Sequence, residues 1–341
     1  MKFSRFMSKI LAGIFIINIS LYTATVFGKT NTNNFINSNS SSNDNGPIIT
    51  TLTVPPEPVS KQKQFLALWP GLNTNTVLQP VLSWSAPGNW EISSWNCCDK
   101  RPYSSPKYKA EVGDAILGIM MPQCAVGEQA CTRWKITTIN LNTQKSTTLD
   151  TTFNTTGIKL LSPAFFETQS LSSCDELPAN SEVTFSTLAF TADLKEVSRV
   201  WNKGVDANDG KRAIPYTDCS WTQEVAPPRY RLGYNSGAQA QPGFDITSSD
   251  NTIRLSAGET HDTRIGLSAR YGFKGAATLY TYGIPEGISA EFDDKRIDDT
   301  GLTRVLTLTA GENVKPGVYP LAAYGLSPRY SAAAPILLIV E

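Results

Sequence analysis

The 341-residue chain balances 30 Lys and Arg against 30 Asp and Glu, contains one histidine, and is 40% hydrophobic. No Lys/Arg cluster stands out, which argues against nucleic acid as a partner, because phosphate binding needs concentrated positive charge. With His261 the only imidazole and placed late in the chain, a Ser-His-Asp or Cys-His arrangement in the first unit is excluded, as is zinc hydrolysis of the usual kind.

The chain opens with Lys2, Arg5 and Lys9, continues as the apolar run "ILAGIFIINISLYTATVF" and reaches Gly28, which is the layout of a secretory signal over residues 1–28. Removing it takes away three cations and no carboxylate, leaving a mildly acidic chain. No later segment approaches ~20 uninterrupted apolar residues, so no membrane insertion is expected and the protein reads as secreted, extracellular or periplasmic. Residues 29–60 form a polar tract rich in Asn, Ser and Thr, read as a disordered tether.

From 61 to 228, runs of five to eight residues rich in Val, Ile, Thr, Phe and Trp alternate with Gly, Pro, Asn and Ser breaks, as in "TVLQPVLSW", "WEISSW", "DAILGIMM" and "WKITTINL". That spacing predicts an all-β unit, a single antiparallel sandwich. Only "DLKEVSRVW", Asp193 to Trp201, has helical periodicity. A Pro/Gly-rich break at 229–243 reads as a linker, and residues 244–341 resume strand spacing with the turn frequency of an immunoglobulin-like sandwich.

Six cysteines, all after the leader, favour disulfides in an exported chain. A bridge between Cys124 and Cys131 would clamp a hairpin; Cys174 could pair with Cys219 and leave Cys97 beside Cys98, but six cysteines allow 15 pairings. Gly113-Asp114 reads as a turn feeding a strand, Asn154-Thr155-Thr156 as a glycosylation acceptor in a eukaryotic source, and the acidic run Glu291 to Gly301 as a solvated loop rather than a calcium site. No phosphate loop or dinucleotide fingerprint is present, so no cofactor and no metal are expected.

Five blocks of the first unit follow one another in a telling order: "VLQPVLSW", "WEISSW", "EVGDAILGIM", "WKITTINLNTQKSTTL" and "SPAFFETQSLSSCDELPANSEVTFSTL". Together they resemble glutamic peptidases of the eqolisin kind, over roughly Val77 to Phe190. The resemblance implies a concanavalin-A-like jelly-roll sandwich, a polypeptide substrate, hydrolysis at acidic pH, and Gln79 and Glu167 as the catalytic pair. The sequence departs from the family at Pro163, where the first of two glutamates four apart would stand, and in the Trp90 to Trp95 spacing, which is not Trp-x-x-Trp. Residues 244–341 resemble the immunoglobulin-like modules appended to exported bacterial hydrolases.

The residues themselves give that pair a job. In a strand over Val77 to Trp84, Leu78, Leu82 and Trp84 share one face, while Gln79, Val81 and Ser83 share the other. Phe165 and Glu167 likewise stand opposite Ala164 and Phe166. A Gln and a Glu on one concave face could hold a water between them, the Glu as base and acid, the Gln amide donating to the oxyanion. The alternative is a lectin-like sandwich without turnover, binding an extracellular glycan or a peptide through Trp69, Trp84, Trp90 and Trp95. The two readings differ in whether Gln79 and Glu167 meet.

Overall fold

Alternation of large apolar with smaller polar side chains drives a chain into two-faced strands. The computed structural model describes residues 30–39, 45–73, 76–97, 103–153, 160–197, 202–206 and 219–341. The first body comprises β1 (Thr30–Asn39), β2 (Ile48–Thr53), β3 (Phe65–Asn73), β4 (Val77–Ser85), β5 (Trp90–Cys97), β6 (Tyr103–Ser104), β7 (Tyr108–Ala110), β8 (Ala115–Pro122), β9 (Arg133–Asn140), β10 (Lys145–Thr152), β11 (Leu160–Gln169), β12 (Glu182–Ala189), β13 (Asn202–Asp206), β14 (Thr222–Ala226) and β15 (Arg229–Gly233). They form two antiparallel sheets, ordered β13-β1-β11-β3-β4-β5-β6, with β7 also on β5, and β10-β9-β8-β2-β12-β15-β14. Between them lies a core that includes Leu68, Leu78, Leu82, Trp84, Trp90, Ile92, Trp134, Phe166 and Phe185.

The second body comprises β16 (Gly243–Ser248), β17 (Thr252–Leu255), β18 (Thr260–Arg270), β19 (Ala276–Tyr282), β20 (Ile288–Phe292), β21 (Arg296–Asp298), β22 (Thr303–Ala310), β23 (Gly317–Leu326) and β24 (Ser331–Val340). Its sheets run β16-β18-β22-β20 and β17-β24-β23-β19-β21, with β17 parallel to β24. The expectation of an all-β chain of sandwiches is met.

The two bodies are not beads on a string. The outer face of the β10-to-β14 sheet packs on the outer face of the β17-to-β21 sheet, through Ile49, Leu117, Ile139 and Leu188 against Ala322, Tyr324, Leu337 and Ile339. Strand β24, "SAAAPILLIV", is buried along its whole length because Ile336 and Leu338 face the second core while Leu337 and Ile339 face the joint. Burial on both faces is why it reads as a continuous apolar run.

Three boundaries differ from the sequence reading. Residues 29–60 are not a tether throughout, since Ile48–Thr53 is the central strand β2 of its sheet, paired to β8 and β12. Its threonines look disorder-prone in composition, yet each finds a partner: Thr50 Oγ1 meets Thr187 Oγ1 at 2.7 Å, and Thr51 and Thr53 donate to the carbonyls of Ala333 and Ser331. The linker at 229–243 begins with β15, a strand of the first body, so the connection shrinks to residues 234–242. The helix expected over Asp193 to Trp201 is absent from its described part, where Leu194 sits at φ 60° and Phe190 bridges Glu196. A left-handed residue ends any helix at that point.

Two disulfides form, Cys124–Cys131 as its short spacing suggested and Cys174–Cys219 from among the pairings left open. On the chain-entropy model the second, closing 45 residues of sequence separation, contributes ~4 kcal/mol, and the first, closing 7, contributes ~2 kcal/mol. Cys97 is also disulfide-bonded. Cys98, the leader and Asn154 to Thr156 lie outside the described residues. Among the described residues no helix is long and apolar enough to cross a membrane.

Candidate functional site

Strand β4 presents its side chains with the expected parity. Leu78, Leu82 and Trp84 enter the inter-sheet core, and Gln79 and Val81 face the other way. That outer face carries a smaller apolar cluster of Ala67, Trp69, Val77, Val81, Trp95, Cys97 and Phe165, in which Gln79 and Glu167 are embedded at 3% and 4% exposure.

A line of prolines crosses this part of the sheet. The pairs Leu72↔Leu78 and Leu68↔Leu82 put Pro70 opposite Pro80, and no pair closes between Trp69–Gly71 and Gln79–Val81. On the other side of β3, Ser162 pairs with Gly71 and Phe165 with Trp69, so Pro163 and Ala164 oppose the single Pro70 in a bulge. Proline has no N–H to give a ladder, so three adjacent strands are interrupted along one row. Pro80 is accommodated because it packs on a glycine of the facing sheet; a Cβ at Gly118 would lie 2.6 Å from Pro80 Cγ. Above the row, Gln79 Oε1 and Ser162 Oγ are buried without a hydrogen-bond partner among the described residues.

Gln79 and Glu167 share a face and do not meet. Glu167 pairs with Ala67, which in turn pairs with Ser83, four residues along β4 from Gln79. Two strand spacings across and four residues along place their Cα atoms ~16 Å apart. Their side chains also point to different partners. Gln79 Nε2 donates to Cys97 Sγ at 3.3 Å, toward β5 and away from β11. The disulfide sulfur carries no proton, which fixes the amide nitrogen on that side. Glu167 accepts from Gln169 Nε2 at 2.6 Å and from Trp69 Nε1 at 3.3 Å. The Trp69 indole lies between the two, stacked on Phe165 at 4.0 Å and folded over Gly71, where a Cβ would come within 2.6 Å of its ring.

Burial in this apolar wall outweighs the two hydrogen bonds and holds the Glu167 carboxyl above its ordinary value of 4.5. The folded state therefore holds this proton more tightly than the unfolded chain does. Stability contributed by this residue is greatest below the unfolded value and declines as pH rises through the raised folded one. Glu167→Gln is expected to remove that decline, so thermal melts from about pH 3 to pH 8 should show the wild type losing ground to the variant as pH rises. Parallel curves would refute the assignment.

The four tryptophans divide by parity. Trp84 and Trp90 pair directly across β4 and β5 and are fully enclosed in the inter-sheet core. As substrate-binding residues they are corrected: neither indole offers a surface to a ligand. Trp69 and Trp95 lie on the outer face, both largely buried, with Trp95 Nε1 donating to Ser93 Oγ at 2.5 Å. Gly113-Asp114 is structural, since Asp114 Oδ2 accepts from the Glu111 N–H and Asn140 Nδ2 just ahead of β8. His261 sits 3.5 Å from Asp250 at the opposite end of β18 from Arg270.

Among the described residues a sizeable open space lies elsewhere. A cavity of about 900 Å³ lies where the two bodies meet, bounded by β2 and β12 on one side and by the β18–β19 and β23–β24 turns on the other. At its floor Arg270 pairs with Glu182, donates to Thr184 Oγ1 at 2.8 Å and pairs with Asp245 at 3.2 Å; Arg229 and Arg231 complete the ring around Asp245, each at 3.4 Å. The sequence does not show these residues as one site, because they come from separate turns and strands that the docking of the sandwiches brings together. A local signal was present in "RYGFKG", a tight turn with a tyrosine where glycine or asparagine is usual.

No protein-family model and no curated protein matches the chain. Among solved structures, the chain is similar to domains 4 and 5 of the S-layer protein SbsC at 14% identity, covering 45% of this chain and 89% of that one, with a TM-score of 0.24. It is similar to the VesB protease of Vibrio cholerae at 10% identity, covering 92% and 99%, with a TM-score of 0.25. A longer SbsC structure, rSbsC(31-844), gives 9% identity, 92% and 53% coverage, and a TM-score of 0.24. Likenesses of this size carry no argument about architecture or chemistry, and the site has to be read from its own residues.

Proposed function

We propose that this protein is an exported, saccharide-binding β-sandwich protein that does not hydrolyse its ligand. The observation that carries the reading is the parting of Gln79 from Glu167, which leaves the resemblance to glutamic peptidases without the shared water that the chemistry needs. Binding is assigned to the cavity between the bodies. Its size suits a small-molecule or short-oligomer site, and domain junctions are where such sites gather. Its wall mixes Tyr271, Phe273 and Tyr330 with Asn180, Gln241 and Ser327, the combination that suits a sugar's apolar ring face and its hydroxyls. Two disulfides and the leader-like start support export.

A second reading keeps the peptidase, favoured by one observation: Glu167 has the raised pKa that an acid-base carboxyl requires. The test is incubation of the purified protein with an unstructured protein substrate at about pH 2 to pH 7, beside Gln79→Ala and Glu167→Gln. Wild type and variants are expected to be equally inert, with saturable binding on a glycan array. Acid cleavage that falls ~100-fold in Gln79→Ala and further in Glu167→Gln would establish the peptidase instead.

A further inference from the structure

We infer that the cavity takes an acidic saccharide, a chain of uronic-acid units whose carboxylates are met by cations at its mouth; this rests on the saccharide-binding reading above. Of the residues that line it, Glu182 and Asp245 are the acids, against Arg229, Arg270, Lys274, Arg296 and Arg329. The two acids are already engaged by Arg270, Arg229 and Arg231 on the floor. Among the lining residues the cations therefore outnumber the acids. Arg329 is exposed, and among the described residues it has no ion-pair partner; Arg296, also exposed, acts on the nearby Asp298 carboxyl and helps to hold its pKa down without closing an ion pair. Lys274 is 86% exposed and pairs with Asp299 at 3.3 Å.

The placement of these cations says what shape of anion they fit. Lys274 comes from the β18–β19 turn, Arg296 from β21 and Arg329 from the β23–β24 turn. A single compact anion would want them convergent. Charges spread around a mouth fit a ligand that carries its carboxylates at intervals, and guanidinium matches carboxylate two-pronged.

Tyr271 supplies the second, independent observation. It stands at φ 49°, followed by Gly272 at φ 75°, with the Phe273 N–H bonded to the Arg270 carbonyl, which is a hairpin turn of the type that wants glycine or asparagine at its first centre. A tyrosine held there is strained, and such strain gathers at binding sites. The strain keeps a 45% exposed aromatic ring at the cavity, placed to stack on a pyranose face between two charged units.

The experiment is calorimetric titration of the purified protein with a tetrasaccharide of galacturonic acid, with its neutral galactose counterpart, and with an Asp/Glu-rich peptide of similar charge. Saturable binding of the acidic sugar, weakened by salt, is expected, with the neutral sugar and the peptide bound at least ~10-fold more weakly. Arg296→Gln with Arg329→Gln should weaken it by about tenfold. Tyr271→Gly should weaken it too while Tm stays the same or rises, because glycine relieves the turn. Equal affinity for the neutral sugar would overturn the acidic class and leave the saccharide reading standing. Absence of binding to either sugar would sink both. Equal capture of the peptide, or an affinity unchanged in the charge variant, would show that charge alone or another surface was being measured and would overturn the inference.

Discussion

Arg270→Met is expected to lower the unfolding free energy by ~3 kcal/mol, one of the largest single-residue effects in the molecule, because it strands Glu182 in a largely buried position. The guanidinium bridges the two bodies: Glu182 belongs to β12 of the first, whereas Asp245, which pairs with it, and Tyr330, which accepts an N–H from it, belong to the second. Burial by itself disfavours the charged arginine, yet the surrounding carboxylates and the Tyr330 hydroxyl prevail and hold its pKa above the ordinary value. Asp245 keeps Arg229 and Arg231 in the variant, so the loss should be concentrated on Glu182. Adding Glu182→Gln should therefore recover part of the stability. Urea titration of both variants decides it. If the double variant is no better than the single, the cost comes from packing rather than from an orphaned charge.

Trp90→Ala should cost ~4 kcal/mol of stability. The side chain is 1% exposed, faces Trp84 across the ladder and fills the space between the sheets. Truncation leaves a cavity lined by a rigid core that collapses only in part. Ligand affinity, measured at a temperature where the variant is still folded, should be unchanged. A variant that is stable but has lost binding would return Trp90 to the ligand surface and contradict the parity seen here.

That parity was legible in the sequence. "VLQPVLSW" alternates cleanly, and it puts Leu78, Leu82 and Trp84 inward with Gln79 outward; the same count, carried one ladder step to "WEISSW", puts Trp90 and Ile92 inward. Treating both indoles as ligand surfaces followed residue type instead of position. The Cys124–Cys131 disulfide was legible because its cysteines flank a short turn, whereas Cys174–Cys219 was one pairing among several that the sequence left open. Strand β2 was not, since Ile-Ile-Thr-Thr-Leu-Thr inside an Asn/Ser/Thr tract has the composition of a tether and acquires its role only from partners more than 60 residues away. The meeting of Gln79 with Glu167 failed for a related reason: a face can be read from period two, but the level at which two strands pair is set by Pro70, Pro80, Pro163 and the bulge they impose.

The order in which strands leave the ribosome is far from the order in which they can be seated. Strand β1 waits for β11 and β13, β2 waits for β12, and β24, beginning more than 280 residues after the start of β2, supplies apolar side chains to two interior layers at once. Each sandwich has a core of its own, but neither completes its outer face until the other is docked on it. Pairing over such distances is slow, because the closure entropy of long loops comes before the contacts that reward it.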